Sequence, residues 1–451
     1  MTELYYPLRS LGEGHWFKLI CGASFQDLPA VRNLTLAYTL AGADCIDVAA
    51  DPAVIASALD ALEVANTFGK AAQARGFGWG HRPLLMVSLN DGEDPHFRKA
   101  EFNPELCPAD CLRPCEKICP AQAIVFQSTS HSKPSESSQI SASPIPSVSI
   151  QSFTGEPNSS SPPCPQSEAS KRQKSRLLDG FSGVIDQRCY GCGRCLPVCP
   201  SQLIYPRSYV FAPEAIAQLI SPFNVDALEI HTKVGHFADF QRLWKAIAPW
   251  VNQLKLLAIS CPDGEDLLEY LWALHDLITP LPCPLVWQTD GRPMSGDIGI
   301  GATRAAVKLS QKVLSAGLPG YVQLAGGTNA HTVMKLRAMG LLKGLKAGEL
   351  KFENLDISPS NVQPANLQPS TQSYVAGVAY GSYARVLLSP ILEKLEQFNG
   401  EVIDANAVSL QNSSLKHLEE FPSLLWQAVE TAHSLVNQLK LSKPMPQPTP
   451  N

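Results

Sequence analysis

Residues 17–50, FKLICGASFQDLPAVRNLTLAYTLAGADCIDVAA, hold two short apolar runs, FKLICGA (17–23) and CIDVAA (45–50), separated by a helix-like stretch. A second helix-like stretch, PAVIASALDALEVANTFGKAA, leads to a third run, LLMVSL (84–89). This is β/α alternation, which predicts a parallel sheet. The pattern stops near residue 91 and resumes with ALEIHT (227–232), KLLAISC (255–261), PLVWQT (284–289), YVQLAG (321–326) and GVAYGS (377–382). The eight runs are almost continuously apolar, as strands covered on both faces should be. Most lead into polar or glycine-rich loops, among them CPDGED, TDGRPMSGD, GGTNAH and GSYAR. The expected fold class is α/β: a parallel (β/α) barrel with an inserted module after the third strand. An open doubly wound sheet with an extra domain is the alternative.

The interruption is the chemically informative part. Of 13 cysteines, eight fall in two clusters, and in a chain expected to carry no export signal such clusters point to metal or redox chemistry rather than to disulfides. The second cluster reads Cys189-x2-Cys192-x2-Cys195-x3-Cys199-Pro200, within GVIDQRCYGCGRCLPVCPSQLI. Glycines at 191 and 193 let three thiolates converge on one cube, while the fourth, before a proline, points toward a neighbouring one. The first cluster reads Cys107-x3-Cys111-x3-Cys115-x3-Cys119-Pro120, within CPADCLRPCEKICPAQAIVF. Both end in Cys-Pro followed by a short apolar segment. A four-cysteine zinc site is the competing assignment, but zinc sites usually pair two C-x2-C knuckles across a spacer. Cys21, Cys45 and Cys283 have no partner spacing and read as small core residues; Cys164 lies in the insertion described next.

Residues 127–170 contain 16 serines and 7 prolines and few large apolar side chains, a composition that favours disorder. The expected division is therefore 1–100, first part of the barrel; 101–126 and 179–210, the two halves of the cysteine module; 127–178, a disordered insertion; 211–440, the rest of the barrel; and 441–451, a flexible tail. A net charge of -5 and the lack of a basic patch disfavour nucleic acid as a partner. No apolar run reaches the roughly 18 residues of a spanning helix, so no transmembrane segment is expected and a cytoplasmic location is.

Residues 105–126 and 183–206 resemble the module of bacterial two-cluster ferredoxins. That resemblance implies two iron–sulfur clusters, one held by Cys189, Cys192, Cys195 and Cys119, the other by Cys107, Cys111, Cys115 and Cys199. The first motif departs from the usual x2-x2 spacing, so its site is expected as 4Fe-4S or, with one poorly placed thiolate, 3Fe-4S.

On a barrel, ligands sit at the carboxyl ends of the strands. The loops after strands seven and eight commonly hold a phosphate, which makes Gly326, Gly327, Thr328 and Asn329, with Gly381, Ser382 and Arg385, the candidate cofactor-binding residues. His231, Lys233, Cys261, Asp263, Asp290, Arg292 and His331 share that rim. No Ser-His-Asp, P-loop or paired-carboxylate signature is visible, and no catalytic residue is assigned.

The whole arrangement, including VWQTDGRPMSGDIGIGATRAA (286–306) and QLAGGTNAHT (323–332), resembles the cyanobacterial light-dependent period (LdpA) family. The resemblance implies an iron–sulfur redox sensor in the input pathway of the Kai circadian clock, reporting light and redox state through the quinone pool, with Kai clock proteins and histidine kinases as partners. The alternative is an oxidoreductase in which the ferredoxin-like module passes electrons to a small substrate or flavin on the barrel.

Overall fold

The computed structural model describes residues 6–21, 28–78, 80–92, 98–119, 122–126, 182–185, 188–189, 194–208, 222–291, 299, 301–343, 374–405 and 416–440. The 127–178 insertion, Cys164, Cys192, Arg292 and the 441–451 tail lie outside them.

In chain order the strands are β1 (Trp16–Ile20), β2 (Cys45–Ala49), β3 (Leu84–Asn90), β4 (Arg98–Glu101), β5 (Ile124–Val125), β6 (Gly183–Val184), β7 (Tyr205–Ser208), β8 (Ala227–His231), β9 (Leu256–Pro262), β10 (Leu285–Asp290), β11 (Tyr321–Ala325) and β12 (Gly377–Tyr380). Eight of them close a parallel barrel in the order β1-β12-β11-β10-β9-β8-β3-β2. These eight coincide with the eight apolar runs, and the cysteine region leaves the barrel between β3 and β8, as expected. The open doubly wound sheet is excluded.

Helices cover the outside of the barrel. The helix Pro52–Ala74 shows how local sequence sets an element: Asp51 is extended (φ -130, ψ 128), its carboxylate accepts from the amides of Ala53 and Val54, and Pro52 occupies the first turn. An N-cap of this kind is worth about 1 kcal/mol. Between helices and sheet lies one large apolar cluster containing Phe17, Tyr38, Trp287 and Tyr380. A second cluster, Trp16, Cys45, Met86, Ala258, Val286, Tyr321 and Ala376 with Leu8 and Leu11 of the helix Tyr6–Glu13, fills the amino-terminal end of the barrel. Cys21, Cys45 and Cys283 are buried core residues, as their isolation in sequence suggested.

The β1–β12 seam is tight at one glycine. Gly377 pairs with Trp16 across the β1–β12 seam, and a Cβ there would lie 2.2 Å from the Trp16 carbonyl oxygen. Nothing flexible can yield, since the nearest atom is backbone. Gly377→Ala is therefore expected to cost about 3 kcal/mol, the upper range for overpacking. Urea denaturation followed by far-UV circular dichroism checks this, and unchanged stability would mean that the seam is looser than described.

Candidate metal centre

The two cysteine stretches fold into the same local shape. In the first, a short helix, Pro114–Ile118, carries Cys115 and ends at Cys119 (φ -74, ψ 106); in the second, Cys195–Val198 ends at Cys199 (φ -73, ψ 111). After each terminal cysteine the same hydrogen bond recurs. The amide of Gln122 donates to the Cys119 carbonyl and that of Gln202 to the Cys199 carbonyl, both at 3.1 Å, with Gln122 at φ 49 and Gln202 at φ 50. A left-handed glutamine is uncommon, and its appearance at equivalent places reflects one conformation used twice.

The residues that follow aim amides at sulfur. Ala123 N donates to Cys119 Sγ at 3.2 Å. Around Cys199, burial pushes the thiol up, but backbone amides of Leu203, Ile204, Ser201 and Gln202 outweigh it and hold the group below the ordinary cysteine value. Such a nest favours an anionic sulfur. On the other half, Ala100 N donates to Cys189 Sγ at 3.4 Å.

The grouping crosses between stretches. Burial raises Cys107, followed by the neighbouring Cys111 and, more weakly, Cys199; burial likewise raises Cys115, which feels Cys199 and Cys107. Cys199 of the second stretch is thus felt by Cys107 and Cys115 of the first, and Cys111 by Cys107. Cys115, Cys189 and Cys195 are buried in one small core with Ala100, Phe102, Ala123, Ile124 and Ile204, and Cys119 and Cys199 pack against it. Among the described residues no three His, Cys, Asp or Glu side chains gather about a point that would hold a single ion. A thiol-only donor set ringed by amides fits a multinuclear cluster, whose irons stand at separate corners.

Two antiparallel ladders hold the halves together: β4 with β7, and β5 with β6. The strand before the first motif therefore pairs with the strand after the second, and the strand after the first with the strand before the second. Phe102 and Phe126 pack at 5.7 Å between ring centres, and the Arg113 guanidinium lies 4.3 Å from the Phe126 ring centre.

Inside the barrel, above its apolar amino-terminal end, lies a charged layer that the sequence reading missed. Lys18 donates to Glu229, lies 3.0 Å from Asp47 and reaches Gln288 Oε1 at 3.1 Å. Gln288 Nε2 donates to Glu229 Oε1 at 2.7 Å, Gln323 Nε2 to Gln288 Oε1 at 2.5 Å, and Trp16 Nε1 to Gln323 Oε1 at 2.6 Å. Ser88 donates to Asp47 at 2.6 Å, and partly exposed His231 lies 3.1 Å from Glu229. Burial disfavours the charge on Lys18, but Asp47 and Glu229 overcome it and hold the ammonium above its ordinary range. Burial would also raise Glu229; Lys18 and His231 instead hold it at about 2. Asp47 moves upward, because burial and Glu229 outweigh Lys18. The signal was the polar residues Lys18, Asp47, Glu229, Gln288 and Gln323 inside the otherwise apolar runs FKLICGA, CIDVAA, ALEIHT, PLVWQT and YVQLAG.

At the rim, Gly326 and Gly327 adopt positive φ (69 and 79), and a Cβ on Gly327 would meet the Ala302 carbonyl at 2.7 Å. Thr328 donates to the Ala379 carbonyl, Asn329 Nδ2 to Gly299, and Arg385 to the Ile20 carbonyl and Ser382 Oγ. Gly381 lies beside Arg385, and Ser382 begins the helix Ser382–Ala405. Of the other rim residues, Cys261 is buried, its thiol pushed up to about 12 by burial and then by Asp91, while Asp263 is exposed and pairs with Lys312. Asp290 ends β10, and Lys233 and His331 are exposed. A further rim chain also escaped notice: Asp91 accepts from Thr232 and lies 3.2 Å from His236 Nδ1, and Thr232 meets the Tyr270 hydroxyl.

Comparison with known proteins gives two family profiles. One, the light dependent period A C-terminal domain, matches residues 219–438; the other, the LdpA Fe-S cluster-binding domain, matches residues 107–135 and 157–210. The chain is 42% identical over 435 residues to Light dependent period A of Synechococcus elongatus, covering 96% of this chain and 94% of that protein. Among solved structures, the apo homocysteine methyltransferase MmuM of Escherichia coli matches 63% of this chain and 85% of its own at 14% identity and a TM-score of 0.25, too slight a likeness to carry an argument.

The charged layer yields a prediction with a defined sign. Glu229 is depressed from 4.5 to about 2, so its contribution to stability is full above 4.5 and is lost as pH falls through about 2. Glu229→Gln leaves Lys18 short of a buried partner and is expected to cost about 3–5 kcal/mol at neutral pH. It should also remove Glu229's share of the acid slope. Urea titrations at several pH values measure both, and a variant as stable as wild type would contradict the pairing.

Proposed function

The chain belongs to the light dependent period A family, and from that premise we propose that it is an iron–sulfur redox sensor acting in light-dependent control of the circadian period. The observation that carries this is the hydrogen bond repeated after Cys119 and after Cys199, with amides on both terminal sulfurs and Cys199 near Cys107 and Cys115 of the other stretch. In this reading Cys107, Cys111, Cys115 and Cys199 hold one cluster, and Cys119, Cys189, Cys192 and Cys195 the other. When bound, the clusters supply one-electron exchange. The chain's own part is to orient thiolates, keep them partly dry and set the potential through N–H···S bonds, the levers by which proteins tune such centres over roughly -700 to +450 mV.

Residues 1–100 and 211–440 form the barrel in this reading, with 101–126 and 179–210 as the inserted module, 127–178 as a tolerated insertion and 441–451 as a tail. The signal concerns cellular redox state, with the quinone pool as its source and Kai clock proteins and their histidine kinases as recipients in the cytoplasm. No helix among the described residues is long and apolar enough to cross a membrane.

A second reading draws on the rim. Among the described residues Arg385 pairs with no carboxylate, and it lies beside Ser382 and Gly381. Together with Gly326, Gly327, Thr328 and Asn329 it suits a phosphate-bearing cofactor, such as a flavin reduced by the module. Flavin released from purified protein would favour that oxidoreductase.

Iron and sulfide assay with electron paramagnetic resonance on anaerobically purified protein tests the main proposal. About eight irons per chain, or about seven if the first-motif site is 3Fe-4S, are expected; about four would refute two clusters. Deleting residues 128–172 should leave that content unchanged, because closing a loop costs little more as it lengthens. Loss of the chromophore on deletion would assign the insertion a structural role.

A further inference from the structure

The module touches the barrel through a buried ion pair. Lys99 of β4 is 3% exposed, Asp51 at the end of the β2 loop is fully buried, and Lys99 Nζ lies 2.8 Å from Asp51 Oδ2. The other oxygen of Asp51 is committed to the barrel: Oδ1 accepts from Ala53 N at 2.8 Å and from Val54 N at 3.4 Å, capping the helix Pro52–Ala74. The carboxylate is therefore fixed by the barrel before Lys99 reaches it.

The next residue along β4 is Ala100, whose amide donates to Cys189 Sγ. In the β4–β7 ladder Ala100 stands opposite Pro206, which has no N–H to offer at that rung. The Ala100 amide is turned away from β7 and onto the sulfur. A four-residue strand is short, and its placement draws on the ladder with β7, on Ala100 and Phe102 in the small core, and on the Lys99 ion pair.

We infer that Lys99 is a positioning residue for the cluster at Cys189: anchored on Asp51, it holds the Ala100 N–H against the Cys189 sulfur and so couples the potential of that cluster to the barrel helix Pro52–Ala74. The coupling is reciprocal. Anything that shifts the start of the helix loosens the N–H···S bond, and a change of charge at the cluster is felt at Asp51. This rests on the cluster-holding assignment above and adds to it a route by which redox state reaches the barrel.

A donor on a ligand sulfur stabilises the more negative, reduced cluster, so losing it lowers the potential. Charge alone makes a different prediction for Asp51, since removing a nearby negative charge raises the potential. Asp51→Asn separates the two. Asparagine is as good an N-cap, so the helix start is preserved while the ion pair is lost.

The experiment is a redox titration followed by electron paramagnetic resonance on wild type, Asp51→Asn, Lys99→Met and the double variant, with iron assayed in each. The affected cluster is identified as the one whose signal Cys195→Ser removes. Asp51→Asn and Lys99→Met should each lower its potential, by about tenfold in the ratio of oxidised to reduced cluster, or about 59 mV for one electron. The double variant should match Lys99→Met, and the other cluster should not move. In cluster-free protein the same substitutions should speed amide hydrogen exchange in β4 while leaving Ala53 and Val54 protected. If Asp51→Asn raises the potential or leaves it unchanged, or if the two shifts add, the clamp is overturned. Should one single variant fail to fold, the other single variant and the β4 exchange rates decide. Wild-type protein without clusters would refute the function proposed above, whereas full clusters with unmoved potentials refute only this inference.

Discussion

Two sulfur atoms set the terms for the module, each at the end of a short helix: Cys119 Sγ, which accepts from the Ala123 amide, and Cys199 Sγ, which faces the amides of residues 201–204. Backbone donors cannot be lost by mutating a side chain, and they favour an anionic sulfur over a neutral thiol. Because Cys199 is felt by Cys107 and Cys115 of the other stretch, the two stretches cannot be independent. The β4–β7 and β5–β6 ladders serve that requirement, pairing the strands that flank one motif with the strands that flank the other.

The barrel supplies a fixed frame for this module. Its amino-terminal end is filled with apolar side chains, and its middle holds Lys18 between Asp47 and Glu229. Burying those charges is costly in itself, and a hydrophobic replacement of the same volume is often as stable. The layer is therefore weak support for stability as its purpose. What it does impose is specificity, because Lys18, Asp47, Glu229, Gln288 and Gln323 satisfy one another only when their five strands stand in one register.

The barrel was legible in the sequence because strands buried on both faces read as apolar runs, and the module because cysteine spacing is nearly unique to cluster binding. The charged layer was not. Each of its members looks like an isolated polar residue within an apolar run, and they meet only through closure of a sheet whose ends lie hundreds of residues apart. Strands β4 and β7, RKAE and YPRS, carry no alternating pattern and include a proline, so their pairing and the Lys99–Asp51 contact could not be foreseen. The rim residues Asp91, Thr232, Tyr270 and His236 escaped for a related reason: they come from two loops and a helix that the fold alone brings together.

The crossing of the fourth ligand is the central claim, and Mössbauer spectroscopy of iron-57-enriched Cys199→Ser protein tests it most directly. The account predicts that the cluster served by Cys107, Cys111 and Cys115 is altered or lost, while the one served by Cys189, Cys192 and Cys195 keeps its wild-type spectrum. Damage confined to the cluster of Cys199's own stretch would contradict it.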